Sequence, residues 1–256
     1  MNPECNNLHK QYTSINLAFD KKRVGRLDFI LDMLTYDRAI ILDVGCGPGV
    51  QFISHTKQHD FTGIDISAVT LKKAQKNGYK TVCYDLSKGL PFEKNSFDIV
   101  ILSDILEHLM DPLYLMNEAK RVLKENGKLI ISVPNHFFLL NRLRILCGYG
   151  LILPWENHQL YNDWNYFHIR FFRWRSICSL LEHCNLEIEY DFSDHFEAPL
   201  PRLINIPVLR RFLFILFKSL SFIPRDIWTL HFITVCRMKD NILENNSKND
   251  SKNKHD

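Results

Sequence analysis

The stretch Ile40-Ile41-Leu42-Asp43-Val44-Gly45-Cys46-Gly47-Pro48-Gly49 constrains this chain more than any other. A β-branched apolar run enters a turn with glycine at every second position, which reads as a strand feeding a tight loop. Glycines at 45, 47 and 49 permit positive φ and place no Cβ in a ligand's path, so the backbone can wrap closely around one. Residues 50–55 then read as the start of a helix whose unpaired N–H groups face that ligand.

The chain has 256 residues, 46% of them hydrophobic, enough for one large domain with a full core. Its net charge is only +3, with acids and bases interspersed, so no global field argues for nucleic acid as a partner. Seven cysteines are scattered without any C-x-x-C pair, which reads as reduced thiols in a cytoplasmic protein and gives neither a disulfide framework nor a metal site. The first residues show no basic and apolar leader, and no run of about 18 apolar residues predicts a spanning helix.

Residues 1–38 read as a polar leader followed by a covering helix, in which Val24, Leu27, Leu31 and Leu34 follow helical spacing. After the glycine loop comes a second strand, 61–66, ending near Asp65, an acid placed where it can accept both hydroxyls of a ribose. Ser67 is an N-cap, and Gly78 follows the end of its helix. A third strand ends at Asp85, and the near-continuous apolar strand 97–102 ends at Ser103 and Asp104. Asp111 caps the next helix with Pro112 at its first position, Gly127 stops it, and strand five follows at 128–133. This alternation predicts an α/β fold, a doubly wound and mostly parallel sheet with helices on both faces and ligands beyond the strands' carboxyl ends.

From 135 to 172 the regularity fades while aromatic and histidine density rises, which marks a substrate-facing region. A helix at 173–184 and a strand at 186–190 follow, then a basic, apolar insertion at 195–228, and a strand at 231–236 completes the sheet. Within the insertion, residues 203–223 form an amphipathic segment bounded by prolines. It reads as a helix packed on the domain or a dimer contact, or more sharply as an interfacial helix that brings a lipid-linked acceptor to the site. Residues 241–256 are too polar to order themselves, so the main domain spans 39–240.

Over residues 40–135 these motifs resemble the class I S-adenosylmethionine-dependent methyltransferases, in the branch called types 11 and 23. Asp43-Val44-Gly45-Cys46-Gly47-Pro48-Gly49 looks like that family's first motif and Gly63-Ile64-Asp65-Ile66-Ser67 like its second. Tyr84-Asp85-Leu86, Ser96-Phe97-Asp98-Ile99-Val100 and Leu106-Glu107-His108-Leu109 with Asp111-Pro112 are similar to the third and fourth. The region also resembles the methionine-biosynthesis protein W group, while the glutamate–histidine dipeptide is closer to quinone O-methyltransferases.

The resemblance implies a Rossmann-like seven-stranded sheet with its last strand antiparallel, S-adenosyl-L-methionine as cofactor, and a small-molecule or lipid-linked acceptor, with O-methylation favoured. Gly45 and Gly47 would line the methionine part, Asp65 would hold the ribose hydroxyls and Asp85 the adenine amino group. Asp43, Cys46, Gly49, Ile66, Leu86 and Ser103 complete the expected cofactor-binding set. His108, just beyond strand four, is the candidate base, with Asp104 behind it. Two rivals stand beside this reading. A nicotinamide enzyme would show G-x-G-x-x-G, but Val50 occupies the third glycine's place. A non-catalytic module on the same fold is the other.

Overall fold

β1 (Ile40–Val44) lies near the middle of one seven-stranded sheet, where its unbroken apolar character belongs. The computed structural model describes residues 27–150, 167–193 and 225–239. The other strands are β2 (Asp60–Asp65), β3 (Lys80–Cys83), β4 (Phe97–Ser103), β5 (Leu123–Pro134), β6 (Leu186–Asp191) and β7 (His231–Met238). They stand in the order β3-β2-β1-β4-β5-β7-β6. All run parallel except β7, which is last in sequence and lies antiparallel between β5 and β6. The chain winds outward from β1 in one direction and from β4 in the other, so the crevice between them is the topological switch point where such sheets bind ligands.

Alternate residues of the central strands feed two cores. On one face Leu42, Val44, Val100, Leu102 and Ile131 pack with Leu115, Met116, Ala119 and Val122 of α3 (Pro112–Val122) and with Ile177 and Leu181 of α5 (Trp174–His183). On the other, Ile41, Ile99, Ile101 and Ile130 pack with Leu27, Ile30, Leu31 and Leu34 in and beside α1 (Asp28–Met33), the covering helix that the spacing predicts. Burying each of α3's larger apolar side chains contributes about 1.5–3 kcal/mol, which explains why the helix face is so regular. The predicted caps are in place. Ser67 accepts from Thr70 N–H at the start of α2 (Ala68–Lys76), and Asp111 accepts from Tyr114 N–H at the start of α3.

Three expectations are corrected. Residues 50–55 do not begin an α-helix. Only Ile53–His55 form a 3₁₀ turn, because Phe52 drops into the core against Phe61 and β2 already begins at Asp60. Gly127 does not stop α3, which ends at Val122. Asn95 and Ser96 take up the carbonyls of Arg121 and Val122, and Leu123 enters β5 opposite Phe97. Gly127 lies inside β5, where a Cβ would stand 2.7 Å from the Leu123 side chain. The stretch after Asn135 is also less irregular than its composition suggests, since α4 (Leu139–Leu146) lies there. The start of the leader, the aromatic residues 151–166, the amphipathic segment 203–223 and the tail lie outside the described residues.

Candidate functional site

The glycine loop is tied to β2 by backbone bonds, Gly45 N–H to Ile64 O at 2.8 Å and Cys46 N–H to the same oxygen at 3.3 Å. Gly45 has φ +72°, and a Cβ there would stand 2.7 Å from Ile105 Cδ1, so both backbone and space demand glycine. At the end of β2, Asp65 holds the loop to the next helix. Gly47 N–H donates to its Oδ2 at 3.0 Å and Ser67 N–H to its Oδ1 at 2.8 Å. These bonds fix the orientation of the Asp65 carboxylate at the end of β2.

At the carboxyl ends of β1 to β4 opens a cavity of about 560 Å³, a size typical of small-molecule sites. Of the residues the sequence singles out, Gly45, Asp65, Ile66, Asp85, Leu86 and His108 line it, with Ile105, Met110 and Tyr114 among the others. Asp85 caps a short 3₁₀ turn and accepts from Ser87 N–H at 3.0 Å, and the Ser87 side chain and N–H hold its carboxyl below the ordinary value.

The remaining expected residues stand behind the wall. Asp43 is buried and accepts from the Tyr79 hydroxyl at 3.2 Å, while burial pushes that phenol well up. Cys46 packs against Gly63, and burial raises its thiol, keeping it neutral. Gly49 sits under Tyr79 and Ala74, and a Cβ on Gly47 would meet nothing within 4 Å. Ser103 ends β4 opposite Ser132. Asp104 is turned toward β5, with its N–H on Ser132 O at 2.8 Å and the Ser132 hydroxyl donating to its carboxylate at 3.3 Å. That geometry leaves Asp104 off the cavity lining.

His108 belongs to a cluster. Its Nδ1 lies 3.2 Å from Phe167 O; a carbonyl can only accept, so Nδ1 carries the proton and Nε2 the lone pair in the neutral ring. Its ring stacks on Phe167 and meets His168 edge-on. His168 Nδ1 lies 3.0 Å from Nε2 of His136. Burial lowers the pKa of His136 to about 4, with the nearby His108 adding to the effect, so it is neutral at physiological pH. Glu107, only 1% exposed, holds Oε1 3.9 Å from Nε2 of both His108 and His168.

Residues 42–131 match the methyltransferase domain family Methyltransf_11. That stretch is a methyltransferase domain. The chain is 34% identical over 135 residues to demethylmenaquinone methyltransferase of Staphylococcus aureus, covering 48% of this chain and 56% of that protein. It is 33% identical over 129 residues to an uncharacterized protein of Methanocaldococcus jannaschii, covering 50% and 48% respectively. The chain thus spans about half the length of the curated relatives it matches. A TehB-like S-adenosylmethionine-dependent methyltransferase from Corynebacterium glutamicum shares the fold at TM-score 0.56 and 16% identity, over 91% of this chain and all of that one.

The cofactor of this methyltransferase family, S-adenosylmethionine, fits what the cavity offers: a loop with no room for a side chain at Gly45 and two carboxylates at strand ends. Sequence reasoning singles out His108 as the candidate base, leaves His136 and His168 in the histidine- and aromatic-rich stretch 135–172 without a role, and meets Glu107 only as part of a motif. The glutamate–histidine dipeptide is the one local signal that pointed there. Contacts between residues 108, 136 and 168 depend on loops that no local pattern describes.

Proposed function

We propose that this methyltransferase domain transfers the methyl group of S-adenosylmethionine to a hydroxyl of a small acceptor with apolar bulk. The observation that carries this reading is one cavity lined by Gly45, Asp65, Asp85 and His108 together. When bound, the cofactor supplies an activated methyl on a sulfonium leaving group, so the protein's task is to align an acceptor and manage its proton. Asp65 accepts the ribose hydroxyls, Asp85 accepts from the adenine amino group, and Gly45 lets the backbone approach the methionine part. His108 Nε2, at the cavity wall, takes the acceptor proton. Ile66 and Met110, respectively 51% and 78% exposed, line the same cavity and favour apolar acceptors. The similarity to demethylmenaquinone methyltransferase, named for a quinone acceptor, supports the apolar character of the acceptor. The amphipathic segment 203–223, with Arg210, Arg211 and Lys218 beside phenylalanines, supports a lipid-linked member of it, which flotation with anionic vesicles at low salt tests.

The deciding experiment incubates the chain with isotopically labelled S-adenosylmethionine and a panel of phenols, prenylated hydroquinones and lipid-linked sugars, followed by mass spectrometry. A labelled methyl on an acceptor oxygen is expected. Cofactor binding with no transfer to any acceptor would favour a non-catalytic module, and binding of NAD instead would refute the reading outright.

A further inference from the structure

We propose that Glu107, His108 and His168 bind one first-row divalent cation, of which Zn²⁺ is the best match, at the wall of the cavity. One ligand atom of each of these three residues lies within 4.8 Å of the other two, and Glu107 Oε1 stands 3.9 Å from Nε2 of both histidines. In a tetrahedral Zn²⁺ site with bonds of about 2.0–2.2 Å, ligand atoms stand ~3.4 Å apart. Side-chain shifts of an ångström or so close the triad on a metal. Two imidazoles and a carboxylate are a donor set suited to Zn²⁺ and its neighbours and poorly suited to Ca²⁺ or Mg²⁺.

The surroundings orient these ligands as a metal site requires. A ligating histidine donates its other ring N–H to a carbonyl or similar acceptor, which fixes the tautomer and aims the free lone pair. His108 does so through Nδ1 to Phe167 O at 3.2 Å. His168 Nδ1 is likewise engaged, 3.0 Å from His136 Nε2, which leaves His168 Nε2 to face Glu107. The backbone locks the two halves together, because Ile169 and Arg170 N–H both donate to the carbonyl of Glu107, at 2.9 and 3.0 Å. Glu107 is buried within this arrangement, and His108 also lines the cavity, so the fourth coordination position opens toward the acceptor. In the methyl-transfer reading, on which this use of the cation rests, an acceptor hydroxyl bound there loses its proton more readily. His108 then acts as a ligand of the cation in place of direct base.

The test measures the metal alone, without cofactor or acceptor, so its result is independent of whether methyl transfer occurs. The full chain is stripped with a chelator, dialysed and titrated with Zn²⁺ by calorimetry and with Co²⁺ by visible absorption. One equivalent is expected, with a Co²⁺ spectrum free of thiolate charge-transfer bands. Glu107→Gln and His168→Gln should each weaken binding by at least ~10–100-fold, the loss seen even for outer-shell changes at such sites. No binding, unchanged affinity in both variants, or a thiolate spectrum would overturn the site. The last would place the metal on cysteines. The wild-type titration and spectrum decide the matter even if neither variant folds. If the site fails while methyl transfer is observed, Glu107 is simply paired with the imidazoles and His108 remains the direct base.

Discussion

Replacing Gly45 by alanine isolates the physical reason for the glycine loop. The residue holds φ +72°, where an L side chain costs roughly 1–2 kcal/mol. The new Cβ would also stand 2.7 Å from Ile105 Cδ1 and 3.0 Å from its Cγ1, so Ile105 must leave its rotamer for a further ~0.5–1.5 kcal/mol. The sum is about 1.5–3.5 kcal/mol, which for a domain of this size lowers the melting midpoint by about 3–14 °C. Ile105 and Gly45 both line the cavity, so a displaced Ile105 narrows it, and affinity for S-adenosylhomocysteine should fall more steeply than stability does. Urea denaturation and titration calorimetry on Gly45→Ala, Ile105→Ala and the double variant form a cycle. The double variant should recover the steric part and retain the backbone part, a coupling of about 0.5–1.5 kcal/mol. Strict additivity, or a Gly45→Ala protein with the wild-type midpoint and affinity, would refute this account of the loop.

Asp65→Asn should weaken S-adenosylhomocysteine binding by roughly 10–100-fold, because charge-assisted bonds are worth ~1.5–3 kcal/mol each; calorimetry showing wild-type affinity would remove Asp65 from the ribose site. The same variant should also lower stability in urea, since Gly47 and Ser67 N–H lose a charged acceptor. His108→Ala should cut turnover on the order of a hundredfold or more while leaving cofactor affinity within a fewfold, and near-normal turnover at saturating acceptor would make His108 structural. Ser87 holds the Asp85 carboxyl below its ordinary value, so its stabilisation is present above the unfolded-state pKa and is lost as pH falls through the folded one. The stability difference between wild type and Asp85→Asn should therefore hold above the unfolded-state value of about 4 and shrink as pH falls below it, and a difference constant with pH would contradict the pairing.

Local chemistry alone determined the scaffold. Apolar runs, the Ser67 and Asp111 caps and the Gly78 stop are interactions between residues a few positions apart, so β1 to β7 and the helices α1, α2, α3 and α5 are legible without a structure, while α4 and the end of α3 are not. The same holds for Gly45, Asp65 and Asp85, because a parallel sheet places every strand's carboxyl end on one edge whatever else the chain does. Tertiary structure decided what depends on distant neighbours. Residues 50–55 read as a helix start after the glycine loop but are pulled into a single 3₁₀ turn by the burial of Phe52 against Phe61. Asp104 sits one residue from a cofactor-binding candidate yet turns toward Ser132 on β5, a residue 28 positions away. The cluster of Glu107, His108, His136 and His168 spans about sixty residues and is closed by backbone bonds from Ile169 and Arg170. No spacing rule reaches across sixty residues that include α3, β5 and α4, because which chain ends meet is set by how those elements pack.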